Sequence, residues 1–188
     1  MKHRAVLFSD FNCPFCYALE ERLVALHLSS SVDWKGVQHD PDLPEPRQIA
    51  TYSLSRALER EVVHVKELAP EVDIAFPVGK PNTRRAIEYS IAAARLDAML
   101  GLVYRHTIAR EMWVNGEDIS DEALLAKLGH QLGLNNLAVS EVDRVLAQMW
   151  RTEWEQLGTG AVPTLVRDDG KVLAGLVSTA DLQKFFSE

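Results

Sequence analysis

Strand-like patterns occur only near the two ends of this 188-residue chain, and that placement constrains the fold more than any other feature. Near the N-terminus, residues 5–11 (AVLFSDF) predict a buried strand, residues 13–30 a helix and residues 31–40 a second strand. Near the C-terminus, residues 163–167 and 172–175 flank an Asp-Gly turn and predict a hairpin, with a closing helix after it. Neither end has enough strands for a stable sheet. We therefore predict that both ends join in one sheet.

The residues between the two ends carry helical patterns instead. A long amphipathic helix is predicted to begin near Arg47, and Thr83 is a predicted N-cap for a helix that continues toward Trp113. Two further helices are predicted to begin at Ser120 and at Ser140, the latter with a capping-box pattern. This region is predicted to form a helical insertion.

The resulting order is βαβ, a large all-helical insertion, then ββα, which is an α/β fold. A right-handed crossover between two parallel strands is expected for the first unit. We predict one domain built from residues 1–44 and 158–188, and a helical insertion domain over residues 45–157.

Composition and charge argue against two classes of function. The formal net charge is −7, and no basic stripe is present, so nucleic-acid binding is not expected. No apolar stretch approaches the ~18–20 residues of a membrane span. The apolar run after MKHR is too short for a signal peptide and meets Asp10 at once. We therefore predict a cytoplasmic protein without membrane association.

Both cysteines of the chain lie in SDFNCPFC, at positions 13 and 16. Cys13 falls where the first strand ends and a helix begins, a position at which free backbone N–H groups favour an anion. A thiolate in such a place has a pKa of roughly 3.5–7.5. Cys16, one turn later, can close a small disulfide. The pattern predicts an accessible nucleophile, Cys13, with a shielded resolving thiol behind it.

Two other interpretations of these cysteines stay open. A zinc site needs about four ligands, and the chain has no second CxxC and no paired histidine spacing, although folding could bring His3 or His39 near. No metal is therefore predicted. Inert buried thiols are the second alternative. The six histidines are expected to be surface or half-buried residues rather than ligands or bases.

A second motif, GAVPTLV at residues 160–166, makes a resemblance specific. A CxxC pair, an inserted helical domain, a Val-Pro-Thr loop and a terminal ββα resemble the DsbA family of thioredoxin-like oxidoreductases. The match in layout extends over essentially the whole chain. Within that family, PNT at Pro81–Thr83 and NGEDISDEALL at residues 115–125 resemble the FrnE-like branch.

The resemblance implies a thioredoxin-like fold and assigns roles to matching residues. Cys13 would be the attacking cysteine and Cys16 the resolving one. Pro163 would be a cis-proline that packs against the sulfurs, and Val162 would offer backbone groups to an extended substrate. DsbA has a buried glutamate in its first strand where this chain has Leu7.

Three residues bear on how the cysteine pair is tuned. Asp10 is a candidate substitute for that glutamate in handling the proton of the resolving cysteine; the alternative, which we favour, is a plain carboxylate at the end of the strand. Pro14 and Phe15 resemble the Pro-aromatic pair of glutaredoxin-like sites. They imply a reduction potential of about −200 to −230 mV rather than the about −120 mV of DsbA.

The predicted function is a dithiol–disulfide oxidoreductase that acts on protein or small-molecule thiols and disulfides. It needs no cofactor beyond its own disulfide, and glutathione is a possible co-substrate. One alternative is a glutathione-dependent transferase of the kappa class or a hydroxychromene-carboxylate isomerase, which typically has serine where Cys13 stands. Another is a non-catalytic chaperone or binding module.

Overall fold

The two ends of the chain form a single four-stranded sheet, as predicted, in the computed structural model, which describes residues 3–188. The strand order is β2-β1-β3-β4; β1 pairs parallel with β2 and antiparallel with β3, and β3 pairs antiparallel with β4. The strands are β1 (Ala5–Ser9), β2 (Val32–Gly36), β3 (Thr164–Arg167) and β4 (Val172–Ala174). This confirms the α/β class and the predicted hairpin.

Seven α-helices accompany the sheet in the described residues, and five of them lie in sequence between β2 and β3. They are α1 (Pro14–Ala25), α2 (Tyr52–Leu68), α3 (Arg84–Leu96), α4 (Ala98–Trp113), α5 (Glu122–Gln131), α6 (Glu141–Gln156) and α7 (Thr179–Ser187). A short 3₁₀ helix, Ser29–Ser31, leads into β2. None of these helices has the length and apolar character needed to cross a bilayer. The division into two domains at the predicted boundaries stays a prediction.

The first insertion helix begins later than the sequence pattern indicates. It was expected near Arg47, but α2 starts at Tyr52, after Thr51, whose hydroxyl accepts a hydrogen bond in the first turn. The residues before it are not helical, and among them the Ala50 N–H donates to the Val78 carbonyl at 2.8 Å. A long-range backbone bond thus replaces the first predicted helical turn.

The helix expected to run on from Thr83 to Trp113 is wrong as a single element, because it is broken at Asp97. The Asp97 carboxylate accepts two backbone N–H groups of the first turn of α4. A Cβ at Gly101 would lie 2.4 Å from the Ala94 Cα, so α3 and α4 approach very closely. Helical periodicity is the same on both sides of the break, and the pattern therefore does not reveal it.

Caps predicted from local sequence are mostly correct. The Asp143 carboxylate accepts from the Ser140 backbone N–H and hydroxyl at the start of α6, and the Ser178 hydroxyl caps α7. Thr83 does precede α3, but its side chain makes no capping bond. Asn82 supplies the acceptor there, for the N–H two residues on.

Helix α1 is packed on both sides. Leu19 and Leu23 join α7 and the sheet in one buried cluster. Tyr17 and Ala18 join a second cluster formed mainly by α2, α3, α4 and α5. The start of α1 is therefore held between the sheet and the helical insertion, and the cysteines lie at that start.

Candidate active site

Cys13 is the N-cap residue of α1, because Pro14 occupies the first helical position and lacks the N–H that would be unpaired there. The Cys13 Sγ accepts the Cys16 backbone N–H at 3.4 Å. The same sulfur lies 3.6 Å from the carbonyl oxygen of Val162, which is 149 positions away in sequence. Both cysteines are free thiols. Folding thus brings the CxxC pair and the GAVPTLV motif together.

The turn that carries Cys13 is held by side chains and backbone from the insertion. The Cys13 N–H donates to the Asp10 carbonyl at 3.2 Å, which closes the turn after β1. Trp113 donates its indole N–H to the Phe11 carbonyl at 2.7 Å, and Asn12 donates its amide to the Pro81 carbonyl at 3.3 Å. Contacts with the insertion therefore hold the turn that carries Cys13.

The two thiols have opposite electrostatic surroundings. A hydrogen bond from the Cys16 thiol is the main cause that lowers the pKa of Cys13; burial opposes it, and the Cys16 N–H and the charge of His39 reinforce it. Burial is the main cause that raises the pKa of Cys16, and the neighbouring Cys13 adds to it. These directions suit a thiolate nucleophile at position 13 and a protonated thiol at position 16.

Cys13 is less accessible than the sequence suggested. Its side chain and backbone together are 7% exposed, against 1% for Cys16. The order of exposure is as expected, but Cys13 is buried rather than openly accessible. The carbonyl of Val162 and the start of α1 cover it.

His39 is the site residue that spacing alone did not reveal. The Asp10 carboxylate accepts the His39 backbone N–H at 2.9 Å and lies 2.6 Å from His39 Nδ1. Burial works against the charged imidazole, but the hydrogen bond and charge of Asp10, with a contribution from Cys13, outweigh it and raise the pKa of His39. The predicted parallel pairing could have indicated this contact. Asp10 follows β1 and His39 follows β2, and residues that follow the carboxyl ends of parallel strands lie at one edge of the sheet.

The Asp10 carboxylate does not contact Cys16, the residue whose proton it was suggested to handle. Its backbone N–H, not its carboxylate, reaches the Cys16 Sγ, at 3.5 Å. One carboxylate oxygen binds His39, and the other is buried without a hydrogen-bond partner in the described residues. The carboxylate therefore contacts His39 rather than Cys16. Its own charge opposes the lowering of the Cys13 pKa, whereas the His39 charge that it stabilises favours that lowering.

The remaining predicted residues lie in the loop before β3 and between the two cysteines. The Val162–Pro163 peptide bond is cis; Pro163 is buried and Val162 half-buried. The Ala161 carbonyl before them accepts the indole N–H of Trp154 at 2.9 Å. Phe15 is half-buried, with its ring centroid 5.9 Å from that of His64 on α2.

A metal ion finds no ready set of ligands at this site. No group of three or more His, Cys, Asp or Glu side chains within residues 3–188 is arranged to hold one. Of the two histidines considered for zinc, His39 binds Asp10, and His3 binds Asp168 at 2.7 Å. The two thiols at this site, Cys13 and Cys16, suit thiol–disulfide chemistry.

The sequence model of the DSBA-like thioredoxin domain matches residues 5–187. The chain belongs to this family. Its members are thiol–disulfide oxidoreductases that work through redox-active cysteines, and the candidate site has the two thiols such chemistry needs. A search of curated protein sequences found no match. Assignment to the FrnE-like branch stays a prediction.

Solved structures share the fold over nearly the whole chain. A candidate protein disulfide isomerase from Nitrosomonas europaea has a TM-score of 0.78 at 15% identity, with 98% of this chain and 96% of that chain covered. The cytosolic disulfide reductase DsbM from Pseudomonas aeruginosa, solved with GSH, has a TM-score of 0.69 at 18% identity, with 98% and 93% covered. The catalytic domain of Proteus mirabilis ScsC has a TM-score of 0.62 at 14% identity, with 99% and 82% covered.

Proposed function

We propose that this protein exchanges disulfides with protein or small-molecule substrates, with Cys13 as the attacking and Cys16 as the resolving cysteine. The observation that carries the proposal is the position of Cys13 Sγ, which caps α1, accepts the Cys16 N–H and faces the Val162 carbonyl. A helix N-terminus stabilises the thiolate that exchange requires. The shielded Cys16 lies one turn further along the same helix.

The reaction proceeds in two displacements. The Cys13 thiolate attacks one sulfur of a substrate disulfide, forms a mixed disulfide and releases the other sulfur as a thiolate, which takes up a proton. Cys16 then loses its proton and attacks the Cys13 sulfur, and the second substrate sulfur leaves. Two electrons pass from the protein dithiol to the substrate, and the reverse sequence oxidises a substrate dithiol.

The loop before β3 would bind the substrate beside the sulfurs. Val162 is half-buried and would offer its backbone groups to an extended peptide, as in strand addition. Pro163 has no backbone N–H, so it presents no competing donor there. Pro14 and Phe15 would complete the opposite wall at the start of α1.

Glutathione is the proposed small-molecule co-substrate, and the cytoplasm is the proposed location. The shared fold with a cytosolic disulfide reductase solved with GSH supports both. The Pro-aromatic dipeptide implies a potential of about −200 to −230 mV, within reach of a cytosolic glutathione pool. At such a potential the couple could run in either direction.

The test is to mix the reduced protein with oxidised glutathione, quench with acid and alkylate the remaining thiols. We expect the intact mass to show a Cys13–Cys16 disulfide, with two reduced glutathione molecules released per protein. Equilibration over a range of glutathione ratios then gives the potential. A protein that forms neither the internal nor a mixed disulfide would contradict the proposal and favour the glutathione-dependent transferase or isomerase.

A further inference from the structure

Lys80 lies on a segment that is bonded to the turn that carries Cys13. The side-chain amide of Asn12, the residue just before Cys13, donates to the carbonyl of Pro81, the residue just after Lys80, at 3.3 Å. On the other side of Lys80, a Cβ on Gly79 would lie 2.2 Å from a backbone carbonyl oxygen of the segment before α2. The backbone of Lys80 is therefore held on both sides, next to the proposed nucleophile.

His39 is connected to the same turn through Asp10. The His39 Nδ1 lies 2.6 Å from the Asp10 carboxylate, and the Asp10 carbonyl accepts the Cys13 N–H at 3.2 Å. Burial disfavours the cationic imidazole, but Asp10 outweighs it and raises the pKa of His39. The charge of Cys13 adds to this rise and the charge of Lys80 opposes it, so these groups are within electrostatic reach of one another. Two basic side chains therefore lie near Cys13.

The Lys80 ammonium has few partners for a group so little exposed. Its side chain is 13% exposed, and its one ion-pair partner among residues 3–188 is Glu61 on α2, with Nζ and Oε2 3.5 Å apart. That oxygen is buried and accepts no hydrogen bond from the described residues. A lysine ammonium has three N–H donors, and a mostly buried cation with unused donors is costly unless an anion meets it.

We propose that Lys80 and His39 form a subsite beside Cys13 that binds a carboxylate of the disulfide substrate. This inference rests on the proposed function and deepens it, because such a subsite selects acidic disulfides. The Lys80 ammonium would donate to the carboxylate, and Glu61 would compete for that ammonium. Since Nδ1 of His39 faces Asp10, the cationic imidazole would donate through Nε2. Hydrogen bonds between charged groups of this kind are stronger than neutral ones.

Two sources can bring such a carboxylate close to a reacting sulfur. Glutathione disulfide carries carboxylates at its glycine and γ-glutamyl ends, a few bonds from each sulfur. An extended peptide with an acidic residue beside its cysteine offers the same group. The chemistry recognised is shared, and substrates of each kind distinguish the two sources.

A plain salt bridge between Lys80 and Glu61 makes a different prediction from a substrate subsite. If the pair only attached the Lys80 segment to α2, loss of either partner would have the same consequence. If Lys80 binds a substrate carboxylate, its loss weakens the reaction with acidic disulfides. Loss of Glu61 then removes a competitor and strengthens that reaction.

The experiment mixes reduced protein with glutathione disulfide, which is anionic, or with hydroxyethyl disulfide, which is neutral, at fixed pH and ionic strength. The rate of internal disulfide formation is followed over a range of disulfide concentrations. In Lys80→Gln the ratio of the two second-order rate constants, glutathione over hydroxyethyl, should fall about tenfold, the effect of one lost hydrogen bond to a charged group. Lys80→Arg should restore most of the ratio, and Glu61→Gln should raise it above the wild-type value.

A second arm uses two disulfide-linked peptides that differ only in Glu or Gln beside the cysteine. A preference for the Glu peptide that is lost in Lys80→Gln would extend the subsite to protein substrates. A preference confined to glutathione disulfide would restrict it to the small molecule. Lys127→Gln is the matched control, because Lys127 is an exposed lysine on α5 and its loss changes the net charge equally. It should keep the wild-type ratios.

The opposite directions expected for Lys80→Gln and Glu61→Gln make the proposal testable even if one variant does not fold. Wild-type ratios for both kinds of substrate in either folded variant, or a fall in both variants, would overturn the subsite while leaving the exchange function intact. A wild-type protein that reacts with neither glutathione disulfide nor hydroxyethyl disulfide would overturn the function itself.

Discussion

The surroundings of Cys13 and Cys16 differ, although the two residues are identical and lie three positions apart. Cys13 receives hydrogen bonds from Cys16 and faces His39, and these partners lower its pKa against the effect of burial. Cys16 lies deeper, against the end of β1, where burial raises its pKa. The comparison shows that two cysteines one helical turn apart can have pKa values shifted in opposite directions, which suits the roles proposed for them.

Each sulfur also has its own buried carboxylate with its own basic partner. Asp10 binds His39 beside Cys13, and Glu20 binds Arg105 beneath Cys16. Histidine titrates near neutral pH, whereas arginine stays charged. The Cys13 side should therefore respond to pH through His39.

The largest expected effect separates the two cysteines outright. Cys13→Ser should reduce glutathione–disulfide exchange to the uncatalysed rate, because no thiolate remains at the helix start. In Cys16→Ser, Cys13 should still attack the glutathione disulfide. The resulting mixed disulfide should accumulate to one equivalent per protein, because no resolving thiol remains. Alkylation and intact-mass measurement distinguish the two results. Exchange retained in Cys13→Ser would mean that Cys16 is the nucleophile.

Two substitutions at Cys16 test the hydrogen bond that most strongly lowers the pKa of Cys13. Cys16→Ala removes the side-chain donor, whereas Cys16→Ser keeps a hydroxyl donor at the same place. We expect a higher Cys13 pKa in Cys16→Ala and several-fold slower alkylation of Cys13 at about pH 6. Ultraviolet titration of the thiolate provides the pKa. Equal Cys13 pKa values in the two variants would show that the Cys16 backbone N–H and the helix terminus lower this pKa without the side-chain donor.

His39→Gln should have a smaller effect on Cys13, because the imidazolium contributes less than the Cys16 hydrogen bonds. The variant should raise the Cys13 pKa and slow alkylation about two- to fivefold at low pH, where a cationic histidine assists the thiolate. The difference should fall as pH rises and His39 loses its proton. His64→Gln, on α2 beside Phe15, is the control. A pH-independent difference would assign His39 a purely packing role.

The smallest expected effect is on stability. Asp10 raises the folded-state pKa of His39 above its unfolded value of ~6.5. The stabilisation is therefore fully present below that unfolded value and is lost as pH rises through the folded pKa. The difference in free energy of unfolding between reduced wild type and His39→Gln, from urea titrations, should be largest near pH 6 and shrink toward pH 9. A difference that grows with pH would contradict this assignment.

Much of the architecture could be predicted from local sequence. The strands at the two ends, the hairpin around its Asp-Gly turn, and the caps at Ser140 and Ser178 follow from propensity and side-chain bonds over a few residues. The position of Cys13 at a strand–helix junction was predicted from local sequence in the same way. The break at Asp97 did not, since both halves share one helical period; the Asp97 cap and the close approach of Gly101 to Ala94 accompany the turn in the structure.

The sequence by itself determined where the proposed nucleophile, Cys13, lies along the chain, because the order strand, CPFC, helix is local. Only the tertiary structure decided what surrounds each sulfur. It brought Val162 to Cys13 across 149 positions, placed His39 beside it through the parallel pairing of β1 and β2, and connected Glu20 with Ser9 behind Cys16. The physical reason is that pKa values depend on burial and on nearby charges, which arise from long-range packing that no short stretch of sequence encodes.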